Sequence, residues 1–373
     1  MLMNKRADPV KNISETQLAM LMFLSIMSTV TLFVPAITSQ IAHRDSWLAT
    51  GIIPSITGII NLFIVNKLSM MYPDQTIIQY GESIFGKILG KLFSFGYIAF
   101  LLITNIVIIR ELTEFLSVML LPGTSILVLN SIFTLSGLYV VPKGPEVLCR
   151  MGQFLLPLFL TFLIILIILT VPDWDLSRLT PIMAEGFSPI IRGSIVPTAW
   201  FGEIFLVAMF MPNVNKPQQM LQKGMITILI LGTFLTIVTL SAVATFGPHL
   251  TAILTFPMMS LIKYIKISSI FQRLETYMIG FWVGAMFMKI MVFYYSLNEG
   301  IAQALNINNS KWILWMTALV QILGSTYLFS NTLDVSQFLA EIWVKIAFIF
   351  EFGLLIFFWF IALIRKKLER KPT

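Results

Sequence analysis

Ten apolar stretches, each close to the length of a bilayer crossing, follow one another along the 373 residues and are separated mostly by short polar turns. A helical crossing takes about 20 predominantly apolar residues at about 1.5 Å rise each. The stretches lie near 16–36, 47–66, 88–119, 124–142, 151–172, 195–212, 225–247, 270–297, 312–330 and 342–364. A bilayer interior offers no water to open backbone groups, so such a chain folds as helices. The expectation is an all-α integral membrane protein of about ten transmembrane helices. Segment 249–269 interrupts its apolarity with Pro257, Lys263 and Lys266 and is expected to be re-entrant or interfacial.

Charge placement sets the orientation. Only 12% of residues are charged, against about 25% in a soluble domain. With both ends on one side, sixteen Lys and Arg fall in inner loops and termini, and five (Arg44, Arg178, Arg192, Lys263 and Lys266) fall outside. That asymmetry predicts an even number of spans with both termini cytoplasmic. It also accounts for the net charge of +7 without invoking nucleic acid. Residues 1–15 form a polar cytoplasmic segment read as leading into a signal-anchor span, and 365–373 a basic tail suited to an anionic inner leaflet. Between them lies one transmembrane domain, 16–364, of two five-span repeats near 16–172 and 195–364. The lone Cys149 forms no internal disulfide, and His43 and His249 are too few for a metal motif. No metal, cofactor or enzymatic activity is expected, since no nucleophile elbow, phosphate loop or HExxH stretch occurs.

The sixth stretch, Ile195–Pro212, carries Glu203 beside Gly202 within an apolar run, with Pro197 just before. An ionisable group at bilayer depth is costly and usually faces a protein interior or wet cavity, while Pro and Gly weaken continuous helix. The first span has a polar, β-branched patch, Ser28-Thr29-Val30-Thr31, just before Pro35. Paired interruptions at matching places in two halves point to a transporter-type site, where unwound backbone would meet a small ligand. Candidate ligand-binding residues are Thr29, Val30, Thr31, Tyr97, Phe100, Thr104, Trp200, Phe201, Gly202, Glu203 and Tyr277. Ser and Thr in such patches also serve simply to pack helices or to bond back to the preceding turn.

Other charges fall into two groups. Lys289 and Glu351 lie deep in the eighth and tenth spans and are candidates for a buried pair or an ion pathway. Glu146 with Arg150 fits an exposed helix-start pair at i, i+4, while Arg273 and Glu275, two apart, are expected to pair with other segments. Arg110 and Glu114 share a helix face at i, i+4 and could neutralise each other, either as a pair at the outer interface, near Pro122 and Gly123, or as a gate or coupling element.

The stretches ISETQL, YPDQTIIQYGESIFGKILGK, the pattern Gly144/Glu146/Arg150, FGEIFLVAMFMP at 201–212 and FQRLE at 271–275 together resemble the endospore germination permease family. Its members are the B subunits of nutrient germinant receptors, within the amino acid-polyamine-organocation transporter superfamily. The resemblance runs in order over nearly the whole chain. It implies two inverted five-helix repeats with broken first and sixth helices, and residence in the spore inner membrane. It also implies an A-type membrane subunit and a C-type lipoprotein as partners, and sensing of a nutrient such as an amino acid or sugar. In the superfamily the first helix breaks at a glycine-rich patch, and Ser28-Thr29-Val30-Thr31 has no glycine. The functional expectation is a ligand-sensing receptor subunit. A secondary amino-acid or cation transporter and a structural subunit of a partner-formed channel are the alternatives.

Overall fold

The structure is a computed structural model describing residues 12–264, 274–307 and 311–369. Among them are helices and turns and no strand, beyond an isolated bridge between Ile13 and Val214. Eight stretches are long and apolar enough to cross a membrane. The first, Glu15–Met71, turns at His43–Asp45 into two helices, and Lys311–Tyr327 adds a 17-residue helix. The described residues thus contain ten helical crossings, as the apolar spacing predicts.

In order, the chain runs through α1 (Glu15–Ala42), α2 (Ser46–Met71), the short α3 (Ile77–Phe85), α4 (Lys87–Met119), α5 (Ile126–Val140) and α6 (Pro145–Thr170). The sixth crossing follows as α7 (Phe187–Gly202) and α8 (Val207–Phe210), then α9 (Met220–Phe246). Two short helices, α10 (Pro248–Ile253) and α11 (Pro257–Tyr264), occupy much of the ambiguous 249–269 segment. α12 (Leu274–Leu305) and α13 (Lys311–Tyr327) precede the tenth crossing, made of α14 (Thr332–Gln337), α15 (Val344–Ala347) and α16 (Leu354–Glu369).

Both described ends of the chain lie at one end of the bundle. Asn12 Nδ2 donates to Glu146 Oε2 at 3.0 Å, and Ile13 N donates to Asn213 O at 3.1 Å. Asn66 Nδ2 donates to Pro217 O at 3.4 Å, and Arg365 donates to the carbonyls of Ser83 and Ile84, 2.7 Å each. Helix starts are locally encoded: Ser14 and Gln17 form a reciprocal capping box, Oγ accepting from Gln17 N at 3.1 Å. Gly86, at φ +81°, separates α3 from α4 in a conformation that other residues avoid. Ile52, Ile56 and Ile60 of α2, each more than half exposed, form an outward apolar stripe that suits lipid.

One expectation is corrected here. α1 is continuous through Ser28-Thr29-Val30-Thr31 and Pro35, so the first helix is not broken. Ser28 Oγ donates to Ser25 O at 2.8 Å and Thr31 Oγ1 to Met27 O at 2.8 Å, so these hydroxyls satisfy themselves on the helix they belong to. Without glycine, nothing in the patch favours leaving helical geometry. The sixth crossing does break. α7 passes through Pro197 and ends at Gly202, after which Glu203–Leu206 forms a 3-10 turn before α8. The tenth crossing is also irregular, with wide π turns at Phe338–Trp343 and Phe348–Gly353, a geometry frequent at functional sites.

Candidate functional site

The break in the sixth crossing lifts Glu203 out of α-helical register and sets its carboxylate toward α12. Lys289 Nζ lies 2.7 Å from Glu203 Oε1, with each side chain 1% exposed. The same ammonium donates to Thr29 Oγ1 of α1 at 2.7 Å, and Trp200 Nε1 donates to that hydroxyl at 3.0 Å. Three crossings therefore meet at one ion pair. The arrangement is held from outside: Trp282 Nε1 donates to Ser28 O at 2.8 Å, and Asn61 Nδ2 of α2 donates to Gly202 O at 3.0 Å.

Beside the pair lies a cavity of about 10 Å³, lined by Thr104, Val107, Ile108 and Glu111 of α4, Trp200, Glu203, Lys289, Leu339 and Trp343. That is room for about one water molecule. Trp200 and Trp343 close it with ring centroids 4.6 Å apart, and Trp343 Nε1 donates to Thr104 Oγ1 at 3.3 Å. The site is closed around its own charges. Two carboxyls, Glu111 and Glu203, share this space with one ammonium, and Glu111 Oε1 has no hydrogen-bond partner among the described residues.

Of the sequence candidates, Thr29, Thr104, Trp200, Glu203 and Lys289 come together here. Gly202 is at the break itself. Val30 is buried core and Thr31 bonds its own helix, so the structure brings neither to the cavity lining. Tyr97 and Phe100 pack against the tenth crossing instead: the Tyr97 hydroxyl donates to Phe350 O at 2.9 Å, and Phe100 stacks on Phe350 at 5.1 Å. Phe201 faces Gly58 of α2. Lys289 pairs with Glu203, not with Glu351, which corrects that expectation: Glu351 lies behind Gly202. Tyr277, Arg273 and Glu275 lie outside the described residues and side chains. Glu146 and Arg150 form the exposed pair expected, at 2.5 Å.

Arg110 and Glu114 pair along their shared helix face. Their side chains are 4% and 8% exposed, with Arg110 Nη2 at 2.6 Å from Glu114 Oε1. Arg110 Nη1 donates to the carbonyls of Ser325 and Thr326, at 3.1 and 3.2 Å, and Thr332 Oγ1 donates to Glu114 Oε2 at 2.5 Å. Packing of α13 and α14 over α4 buries the pair at the turn between those two helices. Sequence reasoning assigned no site role to Glu111, Leu339 or Trp343. The signal for Glu111 was available, because Thr104, Ile108 and Glu111 recur on one helical face. Trp343 owes its position to the π turn and carries no comparable sign.

Among the described residues no group of three or more His, Cys, Asp or Glu is placed to hold a metal ion. His43 and His249, far apart in sequence, line one groove of about 590 Å³ with Ser39 and Gln40.

Residues 12–333 match the family described as spore germination protein. The chain belongs to the spore germination protein family. Spore germination protein KB of Bacillus subtilis (strain 168) is 26% identical over 369 residues, covering 97% of each chain. Spore germination protein YndE of the same organism is 23% identical over 79% of this chain and 82% of its own. Solved structures share the fold of this family member. A Na+-coupled sialic acid symporter in a substrate-bound outward-open state aligns over 92% of this chain and 80% of its own, with TM-score 0.67 and 13% identity. MhsT in complex with L-phenylalanine aligns over 92% and 97%, with TM-score 0.60 and 11% identity. The all-α membrane fold and the germination permease resemblance both stand.

Proposed function

We propose that this chain is the membrane subunit of a spore nutrient receptor, binding a small nutrient such as an amino acid or sugar among the first, third, sixth and eighth crossings. The observation that carries the reading is the Lys289–Glu203–Thr29 cluster beside the tryptophan-closed cavity. Buried charge at bilayer depth is retained at a cost, and the interiors of such bundles are where ligand sites form. A cavity of about 10 Å³ admits no nutrient, so binding requires the helices to part, and the ligand favours the parted state. The A-type membrane subunit and C-type lipoprotein are its proposed partners in the spore inner membrane, with both termini cytoplasmic. Family membership and the names of the relatives support this assignment.

The test is germination of spores carrying Glu203→Gln or Thr29→Trp. Loss of the nutrient response with normal membrane insertion is expected, and normal germination of both would sink the site. The fold shared with solved symporters favours one second reading, a secondary transporter using the same site. Uptake of labelled amino acid by the purified chain in liposomes would select it.

A further inference from the structure

Behind the broken sixth crossing sits a carboxyl that the nutrient site does not use. Glu351, in the second π turn of the tenth crossing, is 0% exposed, and neither of its oxygens has a hydrogen-bond partner among the described residues. It presses against Gly202, where a Cβ would collide with Glu351 Oε2 and with the Phe352 ring. On α2, Asn61 is 1% exposed and holds the carbonyl of the same glycine through Nδ2, while its Oδ1 is left without a partner.

The charged and titratable groups facing Glu351 are few. Glu203 comes from the sixth crossing, Lys289 from α12, and Tyr97 from α4. The Tyr97 hydroxyl is already committed to Phe350 O. Lys345, on the same crossing, is exposed. Glu111, Glu203 and Glu351 are each at most 1% exposed, and Lys289 is the buried ammonium near them. Its charge is taken by Glu203 at 2.7 Å. A second ionised carboxylate at this depth would stand unpaired, and such a group takes up a proton instead.

The geometry points to Glu351 as a proton-binding site, neutral while Lys289 is paired with Glu203, and tied through Gly202 to the state of that pair. Interacting sites of this kind hold protons as a group. Moving the ammonium away from Glu203 changes how many protons the three carboxyls retain. Parting the helices is then accompanied by proton uptake or release, whatever ligand prompts it.

The experiment needs no nutrient, so its failure is distinct from failure of the receptor reading. Infrared spectroscopy of the full-length chain in lipid nanodiscs separates carboxylic acids from carboxylates. At neutral pH, Glu351→Gln loses one carboxylic-acid equivalent and leaves the carboxylate signal unchanged. Lys289→Met gains one carboxylic-acid equivalent as Glu203 takes up a proton. Loss of a carboxylate in place of an acid in Glu351→Gln overturns the proposal. Circular dichroism checks folding of each variant. Should Glu351→Gln fail to fold, Glu111→Gln decides: with Glu203 paired to Lys289, the buried carboxylic-acid equivalent that remains is that of Glu351, and a Glu111→Gln chain with no acid signal overturns the proposal.

Discussion

Lys289 on α12 and Glu203 at the break of the sixth crossing are joined at 2.7 Å with both side chains 1% exposed. Removing one partner of a buried pair costs about 3–5 kcal/mol, while replacing both with apolar groups is often close to neutral. Glu203→Gln and Lys289→Met are therefore each expected to lower thermal stability sharply, and Glu203→Met/Lys289→Met less than their sum. Unfolding of the detergent-solubilised variants in a double-mutant cycle checks this, and additive losses would contradict it.

Thr29 Oγ1 is the common acceptor of the Lys289 ammonium and the Trp200 indole. Thr29→Ser keeps that oxygen and should change stability little. Thr29→Val leaves two buried donors short of a partner, at about 1–3 kcal/mol. Equal melting temperatures for the two variants would show that the hydroxyl is not the junction.

Gly202 has no room for a side chain, because Glu351 and Phe352 occupy the space. Gly202→Ala is expected to cost about 1–3 kcal/mol by overpacking. Glu351→Ala in the same chain should relieve part of that strain, which thermal unfolding of the single and double variants would reveal.

Arg110 binds Glu114 together with two carbonyls at the end of α13. A lysine is a point charge and cannot reproduce this fork. Arg110→Lys should therefore destabilise the chain and expose the turn between α13 and α14 to protease. Digestion at the wild-type rate would argue against the fork.

Asp175, in the loop between α6 and α7, accepts from the Ser177 hydroxyl at 2.6 Å and its amide at 3.1 Å, and pairs with Arg178 at 3.3 Å. The Ser177 bonds first, with Arg178 adding to them, hold its carboxyl below the ordinary aspartate range. A carboxyl lowered on folding contributes above its unfolded pKa, and the contribution fades as pH falls through the folded one. Carbon-detected NMR titration should place the Asp175 midpoint below that of an unfolded control, and Ser177→Ala should raise it.

Much of the architecture was legible because hydrophobic length is a strong signal: the ten crossings, the broken sixth and the exposed Glu146–Arg150 pair follow from spacing alone. Glu203, Thr29, Thr104 and Trp200 were legible as candidates because a polar group in an apolar run needs a reason. Their pairing was not. Sequence reading set Lys289 with Glu351, whereas the fold, with its 3-10 turn after Gly202, sets it against Glu203. The continuity of α1 was misread because Pro35 suggested a break, while the back-bonded Ser28 and Thr31 fit a helix comfortably. The burial of Arg110 and Glu114 was not legible, because their cover, α13 and α14, is remote in sequence.

At the junction of α7 with the 3-10 turn Glu203–Leu206, the carbonyl of Gly202 accepts from Asn61 Nδ2 of α2 at 3.0 Å. The second crossing thus holds the point at which the sixth departs from α-helix, and any motion that rewinds this turn has to give up its bond to α2 first.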